Sequence, residues 1–210
     1  MVEQVTSLLK ECVRRRQVPL CNSTGIRYKQ FDEFDGDQQV ELKHRCETQS
    51  WVGICDVTFE KFGRGLISIQ RIKKDDVVVD YHGKVIECVP YEQYSLHPGV
   101  LPEYCMEIPG PPKRIIDASS EVCGDHPGNR CLGRFANHCN ANQRNNAQNM
   151  KSADVLLDKL EPPVRVVVLK ARRNIEPFEQ LRFDYGDDKA QKLFAEKPAD
   201  KSTERQHSFE

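Results

Sequence analysis

From Trp51 onward the chain alternates short apolar runs with turn-forming residues: VGICDVTF, GLISIQRI, DVVVDY, KVIECV, RIIDA, VRVVVLKA and QLRFDY. Runs of this length, rich in β-branched and aromatic residues and bounded by Gly, Asp and Pro, are predicted as strands. Upstream, Val2, Val5, Leu9, Cys12 and Val13 recur near helical spacing, which predicts a flanking helix over residues 2–17 that ends before Pro19. Residues 18–47 read as polar and irregular. Pro and Gly cluster at 98–112 and again at 124–128, where long loops are expected. NANQRNNAQN, residues 140–149, reads as a polar, low-complexity loop insertion. No repeat recurs at a fixed period. The pattern therefore predicts a mostly β (α+β), strand-rich domain with little regular helix.

Length and composition narrow this picture. The 210 residues suffice for one domain and its flanks, since a domain takes roughly 100–200 residues. No apolar run approaches the roughly 20 residues of a membrane span, so no membrane partner is expected. The N-terminus, MVEQVTSLLKECVRRR, places its charges after its apolar residues and has no long apolar core, unlike a signal peptide. A soluble protein of a reducing compartment is the expectation. The nine cysteines agree, being odd in number and without a C-x-x-C pair, so free thiols acting as small apolar fillers are the default reading. Cys123 and Cys131 bracket GDHPGNR with His126 between them. That can be a metal loop, but without the pair spacing a polar surface loop is favoured and no metal ligand is assigned.

Charge excludes one class of partner. With 31 basic against 32 acidic residues the net charge is −1, which gives no basic face for nucleic acid. Asp32, Glu33, Asp35 and Asp37 in FDEFDGD form an acidic cluster. It suits a basic peptide, although such runs more often form a solvated loop.

The candidate chemistry starts at LGRFANHCN, Leu132 to Asn140, where Asn137, His138 and Cys139 stand side by side. Three readings compete: a nucleophile with its base, a pair of metal ligands, or a segment that holds a cofactor through its backbone. Neighbouring residues on a strand or helix project in different directions, which disfavours a His138–Cys139 dyad. Taken alone, a buried structural Asn-His pair is the default. Three further motifs change the balance: FGRGL at Phe62–Leu66, VVVDYHGKVI at Val77–Ile86, and LRFDYGDD at Leu181–Asp188. Each alone can be a hairpin end, and a lone G-x-G is weak.

In this order and spacing the four motifs resemble the SET-domain protein lysine methyltransferases, over about Trp51 to Asp188. The DYHGKVIE and DYGD segments are most similar to the compact subgroup that methylates the histone H4 tail. The resemblance implies a SET fold of small curved sheets with a knot-like C-terminal crossing, in which RFANHC passes near FDYGD. It implies an N-terminal flank over 1–50, a catalytic domain over 51–187, and a C-terminal flank and tail over 188–210. The cofactor implied is S-adenosylmethionine, lying against Phe62, Gly63 and Arg64, with Tyr104 and Arg134 as side-chain contacts and Asn137 and His138 lending mainly backbone hydrogen bonds. Tyr185 and Tyr81 are the implied catalytic residues, Tyr185 beside the methyl group and Tyr81 lining the lysine channel. The implied substrate is a basic protein tail, a histone within nucleosomes, and the implied location is the nucleus, otherwise the cytosol.

Departures from the pattern carry their own expectations. Cys139 stands where many relatives have Ser, which leaves backbone contacts intact. The Ser120–Arg130 loop is longer than in the compact subgroup. No cysteine follows Cys139, so the zinc cluster that some members carry after the final tyrosine is absent, and DKAQKLFAEK is expected to close the cofactor site as a short helix through Leu193 and Phe194. Phe183 replaces the tyrosine that stands two residues before the final tyrosine in the monomethylating subgroup, which implies di- or trimethylation. The alternative is a degenerate SET module that binds a peptide or chromatin partner without turnover.

Overall fold

The computed structural model describes residues 35–59, 63–87, 89–108, 111–124, 126, 130–139 and 148–185. The helix expected over 2–17, Phe62, residues 140–147 of the polar insertion and the expected closing helix at DKAQKLFAEK lie outside them.

The predicted strands fold into three small sheets. In the first, β1 (Ile54–Phe59) and β2 (Gly63–Ser68) pair antiparallel, β10 (Gln180–Phe183) runs antiparallel beside β2, and β7 (Asn137–His138) lies parallel to β10, giving the order β1-β2-β10-β7. In the second, β9 (Val164–Ala171) sits between β3 (Val77–Asp80) and β8 (Met150–Leu157). The third places β6 (Arg114–Asp117) between β4 (Lys84–Glu87) and β5 (Cys105–Ile108). Each of the seven predicted strands is found. The D-Y-H-G turn is not a hairpin end: β3 and β4 belong to different sheets, so Tyr81–Gly83 carries the chain from one sheet to another.

Apolar faces of the sheets meet in one core. Leu66, Ile72, Val77, Val78, Val79, Met150, Leu157, Leu169, Leu181 and Phe183 are buried in it. Full burial of such a side chain contributes about 1.5–3 kcal/mol. Gly133, in the 3-10 turn Leu132–Phe135, lets that turn lie directly on the end of β3, because a Cβ at Gly133 would collide with the carbonyl oxygen of Asp80.

Three expectations are corrected. Residues 36–47, within the stretch 18–47 read as irregular, belong to the helix α1 (Gly36–Thr48). Asp35, read as part of a solvated acidic loop, is its N-cap: the Asp35 carboxylate accepts from the Gln38 amide at 2.8 Å and the Gln38 side chain accepts from the Asp35 amide at 3.4 Å. This reciprocal capping box satisfies donors that a helix start leaves unpaired. Gln39, Leu42 and Cys46 make the buried stripe, and the polar Gln39 fits there because its side chain bonds both the Asp158 carboxylate (2.9 Å) and the Lys159 amide (3.0 Å). The expected loop over 98–112 contains a 3-10 turn, Pro102–Tyr104, and strand β5. Asn149, assigned to the polar insertion, is a buried clamp. Its side chain donates to the Gln180 carbonyl (2.8 Å) and accepts from the Arg182 amide (2.9 Å), fixing the start of β8 against β10.

Candidate active site

Strand β10 positions the aromatic half of the site. Alternate residues of an extended chain share a face, so Leu181 and Phe183 point into the core, and the chain continues directly to Tyr185. The rings of Phe183 and Tyr185 lie 4.7 Å apart. Tyr81, entering from the end of β3, meets Phe183 edge-on at 6.2 Å. His138 packs against Tyr185 at 5.2 Å.

The Asn-His segment is tied to this cluster through backbone pairing. In the parallel β7–β10 register Asn137 stands opposite Arg182 and His138 opposite Phe183. The Cys139 amide donates to the Phe183 carbonyl at 3.0 Å. Beyond the strand, the Tyr185 amide donates to His138 Nδ1 at 3.2 Å, which places that ring's proton on Nε2, and the Tyr185 hydroxyl donates to the Ala136 carbonyl at 2.7 Å. The expected close passage of RFANHC by FDYGD is therefore made by specific bonds.

A second group surrounds the 3-10 turn. The Arg134 guanidinium lies 3.8 Å from the Tyr104 ring centroid and donates to the Ser119 carbonyl at 2.9 Å. Arg64 is engaged on every side: it bonds the Asp56 carboxylate at 2.8 Å, pairs with Glu121, and lies 3.9 Å over the Phe135 ring. Gly63 has φ +67° and open space where a Cβ would stand, a conformation that favours glycine.

Burial sets the protonation states here. It pushes the Tyr81 hydroxyl well above the ordinary tyrosine value, with the neighbouring Tyr185 adding to the effect. Burial also raises Tyr185, assisted by Tyr104. Both phenols stay neutral throughout the physiological range. Burial opposes charge on Asp56 as well, but hydrogen bonds from Arg64 and Arg130 outweigh it and hold that carboxyl below its usual value.

Of the residues singled out in the sequence, Tyr81, Phe183, Tyr185 and His138 come together around one aromatic cluster, and Tyr104 joins Arg134. Phe62 lies outside the described residues. Three contributors escaped sequence reading. Ala136 acts only through its carbonyl, and Phe135 through its ring beneath Arg64. Asp80 accepts from Trp51 Nε1 (2.9 Å), Gln49 Nε2 (2.8 Å) and the His82 ring (2.9 Å), so one buried carboxylate joins the end of α1 to the turn that carries Tyr81. Its signal was its place inside the D-Y-H-G motif.

These residues fit S-adenosylmethionine. Asn137 Nδ2 and Arg134 Nε are buried with no hydrogen-bond partner among the described residues, and buried donors are rarely left unsatisfied. A ligand with a carboxylate and a heteroaromatic ring supplies acceptors for them.

Comparison with known proteins agrees with this geometry. A search of curated protein sequences returns no significant match. Among solved structures, ATXR5 in complex with histone H3.1 mono-methylated on R26 is similar with a TM-score of 0.54 and 17% identity, covering 77% of this chain and 68% of that one. The ATXR5 SET domain in complex with histone H3 di-methylated on R26 gives a TM-score of 0.53 and 16% identity, with 87% of each chain covered. Likeness at these identities establishes a shared fold. The family profile described as SET domain matches residues 63–186, from the first glycine of the G-x-G turn to the glycine after Tyr185. The chain belongs to the SET domain family.

Proposed function

We propose that the protein transfers methyl groups from S-adenosylmethionine to a lysine side chain on a histone tail, in the nucleus, and proceeds to di- or trimethyllysine. The catalytic domain spans 51–187, with 1–50 and 188–210 as flanks. The observation that carries this reading is the buried meeting of Tyr81, Phe183 and Tyr185, with the Tyr185 hydroxyl pinned to the Ala136 carbonyl.

When bound, S-adenosylmethionine supplies an electrophilic methyl group on a sulfonium. The chain's own residues handle the amine. A lysine ammonium has a reference pKa of about 10.4 and is inert as a nucleophile until it loses a proton. Walls of Tyr81, Phe183 and Tyr185 exclude water and disfavour the charged form. The same walls fix the line of approach, and such orientation is worth many kcal/mol. Gly63, Arg64 and the Asn137–His138 segment would hold the cofactor, with Arg134 and Tyr104 as side-chain contacts.

A histone tail is favoured by the resemblance of the D-Y-H-G and D-Y-G-D segments to those of the H4-tail subgroup, and by the two structural neighbours, which are in complex with histone H3 methylated on R26. The test is incubation with labelled cofactor and each core histone, alone and in nucleosomes, followed by mapping of the product by mass spectrometry. Methyllysine on a histone tail is expected. Cofactor binding without transfer to any histone or nucleosome would replace this reading with a non-catalytic SET module.

A further inference from the structure

Beside the aromatic cluster, three side chains converge that the methyl-transfer reading leaves unused. His82 Nε2, His126 Nδ1 and Cys123 Sγ lie within 4.8 Å of one another. The two ring nitrogens are 3.0 Å apart, and the sulfur is 3.5 Å from His126 Nδ1. Cys131, also buried, lies near Cys123.

We propose that His82, Cys123 and His126, with the nearby Cys131 drawn in as the fourth ligand, form a structural zinc site that staples Cys123 and His126 onto the turn carrying Tyr81. The spacing fits the metal. With Zn–N about 2.0–2.1 Å and Zn–S about 2.3 Å, tetrahedral ligand atoms stand roughly 3.3 Å apart for two nitrogens and roughly 3.6 Å for nitrogen and sulfur. Two imidazoles and two thiolates are a closed, charge-neutral set for Zn²⁺, and soft sulfur with nitrogen selects zinc over magnesium or calcium.

The tautomers point the same way. His82 Nδ1 lies 2.9 Å from the Asp80 carboxylate, so in the neutral ring the proton sits on Nδ1 and the Nε2 lone pair faces His126. A carboxylate behind a histidine in this manner is the usual outer support of a zinc ligand. Without a metal, His126 Nδ1 can donate to the His82 lone pair or accept from the Cys123 thiol, but not both. As donor it satisfies only the first, and as acceptor it meets a lone pair at 3.0 Å. A divalent cation takes all three lone pairs.

The loop is built to present these ligands. Val122 and Arg130 form an antiparallel bridge, and the Cys131 amide donates to the Glu121 carbonyl at 2.8 Å. Cys123 and Cys131 are thereby brought side by side at the loop base. His82 is 44 residues from His126 in sequence, which is why the spacing of the loop alone hides the set. Glu121, in turn, pairs with Arg64 of β2, so the metal holds a loop that also meets the cofactor-binding strand.

The experiment is metal analysis of the full chain expressed in zinc-supplemented medium and desalted, together with cobalt replacement. About one zinc per chain is expected, with the visible bands of tetrahedral cobalt and thiolate-to-cobalt charge transfer in the substituted protein. Cys123→Ser and His126→Asn are expected to lose most of the metal, while Cys55→Ser retains it. Wild-type protein that folds with no stoichiometric zinc and no tetrahedral cobalt spectrum overturns the proposal, as does full retention of zinc in Cys123→Ser. Metal content is read without any turnover, so this outcome is independent of the methyl-transfer assay.

Discussion

The Tyr185 hydroxyl donates a 2.7 Å hydrogen bond to the carbonyl of Ala136, the residue immediately before the Asn-His step. One bond thus couples the end of β10 to the residue before the Asn137–His138 segment, and it aims the phenol. Tyr185→Phe keeps the ring and its contacts with Phe183 and His138. In the native chain the Tyr185 oxygen faces the site with its lone pairs, and the expected result of removing it is a loss of roughly 100-fold or more in turnover, the scale seen when one oriented polar group is removed from a reacting centre. Stability should fall by only about 1 kcal/mol, the net worth of a hydrogen bond. Labelled-cofactor assays beside thermal melts separate the two, and near-wild-type turnover would move the chemistry elsewhere.

Phe183 is 1% exposed and lies between the Tyr81 and Tyr185 rings. A hydroxyl added there would offer a hydrogen bond to a water in the lysine pocket, in space that a methylated amine needs to turn for another attack. Discrimination by one hydrogen-bonded group can far exceed the 1–3 kcal/mol, roughly, of a pure size difference. Wild-type protein is expected to yield di- or trimethyllysine under excess cofactor, and Phe183→Tyr to stop at monomethyllysine. Only monomethyllysine from the wild type after long incubation would refute the assignment.

How much of this was legible depends on which signals the residues carry. β3, with all four residues buried, and β9, rich in valine, announce themselves by apolar runs. β8 does not: Lys151, Ser152 and Asp154 interrupt it, because it shows part of its surface to water. α1 was hidden because Gln39 occupies a core position that only its bonds to Asp158 and Lys159 make tolerable. In the site, Tyr81, His138, Phe183 and Tyr185 are marked by motif order. Ala136 was not, since a backbone carbonyl has no sequence signature; Asp80 lies inside the D-Y-H-G motif, but its role as a junction rests on Gln49 and Trp51, which are distant in the chain.

The raised pKa of Tyr185 has a sign that can be tested. Its folded value lies above the unfolded one of about 10, so its contribution to stability is fully present below pH 10 or so and is lost as pH rises through the folded value. Tyr81 behaves alike. Across the assay range, ionisation of these phenols therefore removes no activity. The rate is expected to climb from pH 7 toward about 10 as the substrate amine loses its proton, without a descending limb. A bell-shaped profile that persists in protein shown to stay folded would mean that a phenol, or another acid, titrates in the site.

Gly133 carries the contact that sets the 3-10 turn Leu132–Phe135 on the end of β3. A Cβ there would strike the Asp80 carbonyl oxygen and crowd Tyr81 Cα. Both obstacles are backbone, so neither can swing away as a side chain would, and the 3-10 turn itself has to lift. Overpacking of this kind costs about 1–3 kcal/mol, which for a chain of this size lowers the melting temperature by about 2–4 °C per kcal/mol. Lifting the turn also displaces Arg134 from Tyr104 and the Ala136 carbonyl from Tyr185. Gly133→Ala should therefore weaken cofactor binding as well as lower stability. Gly36→Ala is the matched control, because nothing stands within 4 Å of its Cβ position and it opens a helix. The control should be neutral or slightly stabilising. Calorimetric titration with S-adenosylmethionine beside thermal melts of both variants decides the matter, and equal behaviour of the two would show that the turn does not rest on β3 as described.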